Sequence, residues 1–208
     1  MKTIGLDLSV NSTGVCVYED RAIRYYIIAS DQSMTKKKLK FIEDHMMTPD
    51  QVFSSGLLYY YIYPKAVGGT GNTYEERERA KTENICHIVR YLEGIVLFEQ
   101  PDLVVLEGIS YGSLGSAALA DLAGLNHTTR YMLNNHHIRW ITATPTSVKK
   151  AACGNGSAKK DEMMYAWEHC DDRLIQYKSQ LKLDDLADSY FMSRLCPDST
   201  ASDASKCL

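Results

Sequence analysis

Four consecutive apolar residues, Leu103, Val104, Val105 and Leu106, restrict the fold of this chain more than any other feature. A strand without polar positions is buried on both faces, as happens where helices cover both sides of a sheet. The run ends at Glu107 and Gly108. It therefore predicts a central strand of an α/β domain, with Glu107 at the carboxyl end of that strand.

Three further strands are predicted at the beginning of the chain, at 3–9, 13–19 and about 22–29. The first shows the period-2 alternation of a strand, because Ile4, Leu6 and Leu8 alternate with Gly5, Asp7 and Ser9. Short polar links join these segments, which favours a meander of hairpins.

Helices alternate with strands in the rest of the chain. Thr73 and Glu76 form a candidate capping box for a long helix that Pro101 closes, and Thr144 caps a short helix that has Pro145 at its first position. Further helices are predicted at about 115–134, 158–169 and 183–195, and a strand at 138–142. The order of elements implies an α/β fold, a mixed sheet flanked by helices.

The length of 208 residues suits one domain, predicted at 1–196, with a disordered tail at 197–208. The segment 31–72 looks inserted, since it separates the third strand from the long helix. Its tyrosines, Tyr59, Tyr60, Tyr61 and Tyr63, favour a core or edge strand over a surface on which bases stack.

The formal net charge of −3 argues against a nucleic-acid-binding protein. Local charge can outweigh the total, because phosphate contacts depend on nearby cations. Two groups of lysines are close in sequence. They are Lys36, Lys37, Lys38 and Lys40, and Lys149, Lys150, Lys159 and Lys160. The second group is predicted to bind DNA, with a solvated lysine-rich surface as the alternative.

Several protein classes are excluded by composition. No apolar run approaches the ~20 residues of a membrane span, so no membrane association is expected. Asp7 interrupts the first apolar stretch, so no secretory signal peptide is expected. The six cysteines show no metal or disulfide spacing and are predicted to be free thiols. A cytoplasmic location is expected, in the host cytoplasm for a viral or phage protein.

Four carboxylates stand where a solvated charge is unexpected: Asp7, Glu107, Asp185 and Asp188. On the last predicted helix Asp188 flanks the apolar stripe, whereas Asp185 points further away. Taken alone, acids at this helix start, Asp184 included, favour capping and dipole roles. Together, the carboxylates suit hard cations such as Mg²⁺, since two divalent ions about 4 Å apart can stabilise both oxygens of an in-line phosphodiester displacement.

The same residues lie in segments that resemble RuvC-type Holliday-junction resolvases. The resemblance covers 3–30 and 74–195, and four motifs occur in the family's order. The segment 5–14 resembles the first-strand motif, and Leu106-Glu107 the second acidic motif. The segment 144–160 resembles the basic segment with its glycine turn, and 185–188 the closing D-x-x-D motif.

This resemblance implies a ribonuclease-H-like fold and a crossover-junction endodeoxyribonuclease that makes paired symmetric nicks in four-way junctions. It implies metal ligation by Asp7, Glu107, Asp185 and Asp188, with Asp184 as an alternative to Asp185. Mg²⁺ is the implied cofactor and Mn²⁺ a substitute. Lys149 and Lys160 match lysines that contact phosphates, and Lys160 is also counted as catalytic. The implied assembly is a homodimer formed through the helix at 115–134.

Three alternatives remain open. The first is a ribonuclease-H-like nuclease that acts on other branched or flapped DNA or on RNA–DNA hybrids. The second is a phosphotransferase of the sugar-kinase or actin type, whose first phosphate loop also follows a Gly-x-Asp strand; the chain has little room for its second lobe. The third is a non-catalytic module that binds junctions.

Overall fold

The computed structural model describes residues 1–44, 46–48, 51–52, 57–68, 73–109, 115–181 and 183–195. The strands are β1 (Lys2–Asp7), β2 (Ser12–Glu19), β3 (Ala22–Ser30), β4 (Met46–Thr48), β5 (Gln51–Val52), β6 (Leu58–Tyr63), β7 (Leu103–Glu107) and β8 (Trp140–Ala143). The helices are α1 (Lys36–Asp44), α2 (Tyr74–Glu99), α3 (Ser116–Asn135), α4 (Pro145–Cys153), α5 (Lys160–Cys170) and α6 (Asp184–Ser193).

The main sheet has six strands in the order β6-β3-β2-β1-β7-β8. Strands β1, β2 and β3 form the predicted antiparallel meander, and β7 and β8 continue it in parallel. Asp20 and Arg21 have φ values of 47° and 74°, the left-handed conformations that a tight β2–β3 hairpin requires. The predicted α/β fold with a mixed sheet is confirmed.

Helices cover both faces of this sheet. One face packs against α2 and α3, where Ile4, Leu6, Leu92 and Leu125 are fully buried. The other face packs against α1, α4, α5 and α6, with Trp167 fully buried among them. This two-sided coverage explains why the sequence of β7 contains no polar residue before Glu107.

Most element bounds follow the sequence prediction, and N-terminal caps explain the starts of two helices. Thr73 and Glu76 hydrogen-bond each other's backbone N–H at the start of α2, and the Thr144 hydroxyl accepts from the Ser147 N–H at the start of α4. β1 ends at Asp7 instead of Ser9. Ser9 is engaged by the Thr13 hydroxyl, which donates to its carbonyl at 2.8 Å and thereby closes the β1–β2 turn.

The inserted segment extends the main sheet. It contributes α1 and the edge strand β6, which runs parallel to β3, so the prediction of a strand at Tyr59–Tyr63 is confirmed. Two side chains fasten it to the rest. The Asp31 carboxylate accepts from the Lys65 N–H at 3.0 Å, and Asn84 makes two hydrogen bonds to the backbone of Ala66.

The four cysteines within the described residues, Cys16, Cys86, Cys153 and Cys170, form no disulfide, in agreement with the sequence prediction. No described helix combines the length and the apolar character needed to cross a bilayer. The predicted tail at 197–208 lies outside the described residues.

A buried carboxylate stabilises the end of the sheet opposite Asp7. Glu99, 1% exposed, accepts hydrogen bonds from Arg24 Nε at 2.9 Å and from the Tyr26 hydroxyl, and Lys2 Nζ lies 3.6 Å away. Burial raises the pKa of Glu99, but the hydrogen bonds and positive charges outweigh it and leave the pKa below its usual value.

Replacing Arg24 by Ala is expected to lower the free energy of unfolding at neutral pH by about 3 kcal/mol, because it leaves Glu99 buried without its main cation. The difference from the wild type should shrink as the pH falls through the usual glutamate pKa of about 4.3 and the lowered folded value, since a protonated Glu99 needs no cation. Denaturant unfolding at several pH values measures it. Arg79→Ala, in an exposed pair with Glu75, is the control and should cost less than about 1 kcal/mol.

Candidate active site

Asp7 and Glu107 lie side by side at the carboxyl ends of two central parallel strands. The register pairs Leu6 with Leu106, so the next residue on each strand carries a carboxylate. Leu6 and Leu106 face α2 and α3, and successive side chains alternate. Asp7 and Glu107 therefore both point to the face covered by α6, on strands about 4.8 Å apart.

Two glycines let α6 lie directly on the sheet. A Cβ on Gly5 would come 2.0 Å from the Ser189 carbonyl oxygen, and one on Gly14 would come 2.3 Å from the Asp185 carbonyl oxygen. Gly14 pairs with Asp7 across β1 and β2. The first turn of α6 is thus held over the strand position beside Asp7.

This seating buries Asp185, which is only 7% exposed, while Asp188 is partly exposed. The expectation that Asp185 points further from the core than Asp188 was wrong. Helical periodicity alone placed it on the polar side, but the start of α6 packs against glycine backbone, so a flanking position becomes buried. Asp185 and Asp188 are three residues apart and share a face of the helix.

The electrostatics show that the four carboxylates share one environment. Burial raises the pKa of Asp7 well above its usual value, the negative charges of Asp188, Asp185 and Glu107 raise it further, and Lys160 partly opposes them. Burial also raises the pKa of Glu107, with a contribution from Asp188. The pKa of Asp188 is raised by burial and by Asp185, against the effect of Lys160.

Two of the four predicted DNA-binding lysines reach this cluster. Lys149 on α4 lowers the pKa of Glu107 and of Asp188, and Lys160 at the start of α5 forms an ion pair with Asp184. Lys150 and Lys159 of the same basic segment are exposed. The turn between α4 and α5 begins with Gly154, whose φ of 70° favours glycine.

The donors suit a hard divalent cation, because all four are carboxylates, and a cation would offset the negative charges that, after burial, raise the pKa of Asp7, Glu107 and Asp188. No ready-made ligand set exists among the described residues: no three His, Cys, Asp or Glu side chains there come close enough to hold one ion. Like charges repel, so carboxylates without a cation turn apart. Binding would require their side chains to turn toward one point from backbone positions that already adjoin.

The ion pair between Asp184 and Lys160 helps to decide which of the neighbouring residues Asp184 and Asp185 is the better candidate for a metal ligand. Asp184 is engaged by a lysine at the start of α5, whereas Asp185 packs over Gly14 and raises the pKa of Asp7. Asp185 is therefore the better placed of the two to share an ion with Asp7.

Sequence reasoning missed two residues near the site. Asn126 on α3, 2% exposed, donates from Nδ2 to the Glu107 carbonyl oxygen at 3.1 Å and so holds the end of β7. The sequence feature that could have identified Asn126 is its position as a polar residue beside Leu122 and Leu125, on the buried side of the helix. Tyr60, fully buried in the inserted strand, is the other.

Comparisons with known proteins agree with this architecture. A scan of protein-family models and a search of curated proteins gave no match. Among solved structures, Thermus thermophilus RuvC in complex with a Holliday-junction substrate matches at a TM-score of 0.55 with 11% identity, over 93% of this chain and 90% of that one.

Two further structures match at lower TM-scores. T. thermophilus RuvC alone gives 0.49 with 14% identity over 93% and 91% of the two chains. Fowlpox virus resolvase with Holliday-junction DNA gives 0.42 with 14% identity over 93% and 95%. The match above 0.5 shows that this chain has the ribonuclease-H-like fold of RuvC, as the sequence motifs predicted.

Proposed function

We propose that this chain is a metal-dependent, structure-selective endonuclease that resolves four-way DNA junctions by paired symmetric nicks. The observation that carries the proposal is the adjacency of Asp7 and Glu107 on neighbouring strands, with Asp185 seated over Gly14 beside them. The likeness in fold to a RuvC bound to a Holliday-junction substrate supports the choice of substrate.

The proposed metal ligands are Asp7, Glu107, Asp185 and Asp188. Two Mg²⁺ ions, or Mn²⁺ in their place, would supply an activated water and stabilise the leaving 3′ oxygen. The raised pKa of three of these carboxyls fits this role, because a cation supplies the positive charge that the cluster lacks.

Lys149 and Lys160 hold positive charge at the rim of the cluster, where the scissile phosphate would lie. Their proposed role is to offset the charge that develops on the phosphate in the transition state. Lys150 and Lys159 extend the cationic surface along the DNA backbone. The net charge of −3 is compatible with this, because the surface beside the site is locally basic.

A homodimer is proposed, since symmetric nicks need two sites. Helix α3 is the proposed interface, and its residue Tyr131 is 66% exposed. The exposed side of α3 also carries Ala117, Ala118, Ala120 and His127, and exposed aromatic side chains are enriched at protein–protein interfaces. Light scattering coupled to size exclusion measures the assembly directly.

The decisive experiment incubates the protein with an end-labelled immobile four-way junction, a Y-fork and an RNA–DNA hybrid, each with Mg²⁺ and with EDTA. Symmetric nicks in the junction, dependent on Mg²⁺ and leaving 5′-phosphates that a ligase can seal, are expected. Stronger cleavage of the fork or the hybrid would assign the chain to the other ribonuclease-H-like nucleases.

A non-catalytic junction-binding module is the second candidate. Lys149, Lys150, Lys159 and Lys160 would supply the phosphate contacts of such a module without any metal. Its signature in the same experiment is a shifted junction band in a native gel without any Mg²⁺-dependent or Mn²⁺-dependent product.

A further inference from the structure

One residue of the inserted strand β6, Tyr60, belongs to the same cross-strand row as Asp7. Tyr60 pairs with Ile27 of β3, Ile27 pairs with Gly14 of β2, and Gly14 pairs with Asp7 of β1. Residues in one cross-strand row point to the same face of a sheet. Tyr60 therefore lies on the α6 side, two strands from Gly14, over which Asp185 sits.

The phenol of Tyr60 has no structural partner to explain it. The side chain is fully buried, and its hydroxyl makes no hydrogen bond within the described part of the chain. Burying a hydroxyl without a hydrogen bond is unfavourable, and phenylalanine would fill the same core space without this cost. Lys38 Nζ lies 5.8 Å from the ring centroid and so interacts with the ring of Tyr60.

The negative charge of Asp185 acts on this phenol. Burial raises the pKa of Tyr60, and the negative charge of Asp185 raises it further. A phenol is a good donor to a carboxylate, and such a bond is stronger than one between neutral groups. Ile27, which lies between Tyr60 and Gly14 in the row, has an aliphatic side chain and offers the phenol no hydrogen-bonding group.

We propose that Tyr60 is a positioning residue for the metal site: its hydroxyl donates to the Asp185 carboxylate, directly or through one water, when that carboxylate turns toward the cations. The inference rests on the proposed function, because it assigns Asp185 as a metal ligand. It gives the insertion a role, since β6 then supplies an outer partner to a ligand on α6. Such partners typically change metal affinity by about 10–100-fold.

The test is Tyr60→Phe, with Tyr59→Phe as the matched control. Tyr59 is the preceding residue of the same strand, points to the other face and stacks on Tyr26 with ring centroids 5.0 Å apart. Mn²⁺ binding to the DNA-free protein is measured by calorimetry, alongside the melting temperature of the metal-free protein. The Kd for Mn²⁺ should rise about tenfold in Tyr60→Phe, and the control should match the wild type.

The kinetic readout separates positioning from packing. At low Mg²⁺ the cleavage rate of Tyr60→Phe should fall, and higher Mg²⁺ should restore it, while the KM for the junction stays unchanged. A wild-type Kd for Mn²⁺ in Tyr60→Phe would overturn the inference even if junction cleavage in the wild type upholds the proposed function. A wild-type protein that neither binds Mn²⁺ nor cuts junctions would overturn both.

Discussion

Replacing Asp7 by Asn is expected to reduce junction cleavage on the order of 10³-fold, the loss typical of removing a group that stabilises charge in a transition state. Asparagine keeps the shape of the side chain but removes the negative charge and one oxygen donor. The negative charges of all three other carboxylates raise the pKa of Asp7. Asp7 is therefore the proposed ligand whose loss should weaken the shared site most. Cleavage of a labelled junction under single-turnover conditions measures the effect.

Binding of the junction should survive this change, because the proposed phosphate contacts come from Lys149, Lys150, Lys159 and Lys160 and not from Asp7. Gel-shift affinity in EDTA is the corresponding measurement. Asp172→Asn, the same change at an exposed position, is the control and should leave both readouts unchanged. Cleavage retained by Asp7→Asn would remove the assignment of this cluster as the active site.

The same variant should be more stable than the wild type without metal. The folded state raises the pKa of Asp7, so it binds the proton more tightly than the unfolded chain does, and stability falls as the pH rises from about 4 through the raised value. Asparagine does not titrate and avoids this loss. At pH 7 the melting temperature of metal-free Asp7→Asn should exceed that of the wild type by a few degrees, and Mg²⁺ should narrow the gap.

The architecture was predictable because its signals are local. Alternating apolar residues defined β1, an uninterrupted apolar run defined β7, and Thr73 with Glu76 defined the start of α2. The carboxyl ends of adjacent parallel strands meet at one edge of a sheet, so the proximity of Asp7 and Glu107 also followed from the order of elements.

The burial of Asp185 was not predictable in this way, because it depends on a tertiary contact. Periodicity along α6 places residues on faces but does not say how closely a face approaches the sheet. Gly5 and Gly14 determine the distance between α6 and the sheet, but in the sequence each is recognisable only as a small residue in a strand. The pairing of β6 with β3 was equally hidden, since strand propensity does not name a partner.

Gly14→Ala is the second change with a large expected effect, and it tests how the site is built. An alanine Cβ would lie 2.3 Å from the Asp185 carbonyl oxygen and 2.6 Å from its carbonyl carbon, and backbone atoms cannot swing aside as a side chain can. The start of α6 must move away from β2. Overpacking of this kind costs about 1–3 kcal/mol, and misplacing a reacting group by about 1 Å can cost about 100-fold in rate.

The direction of the stability change shows whether Gly14 is needed for the close contact between α6 and β2 or has only the usual effect of glycine on the unfolded chain. Where its conformation permits, Gly→Ala stabilises a protein by about 0.4–1 kcal/mol by restricting the unfolded chain. Gly94 in α2 is the matched control: a Cβ there meets nothing within 4 Å, so Gly94→Ala should raise the melting temperature and leave cleavage unchanged. Gly14→Ala should lower both. If Gly14→Ala instead kept full activity and Mn²⁺ affinity, Asp185 could not be a ligand that depends on the close seating of α6 on β2.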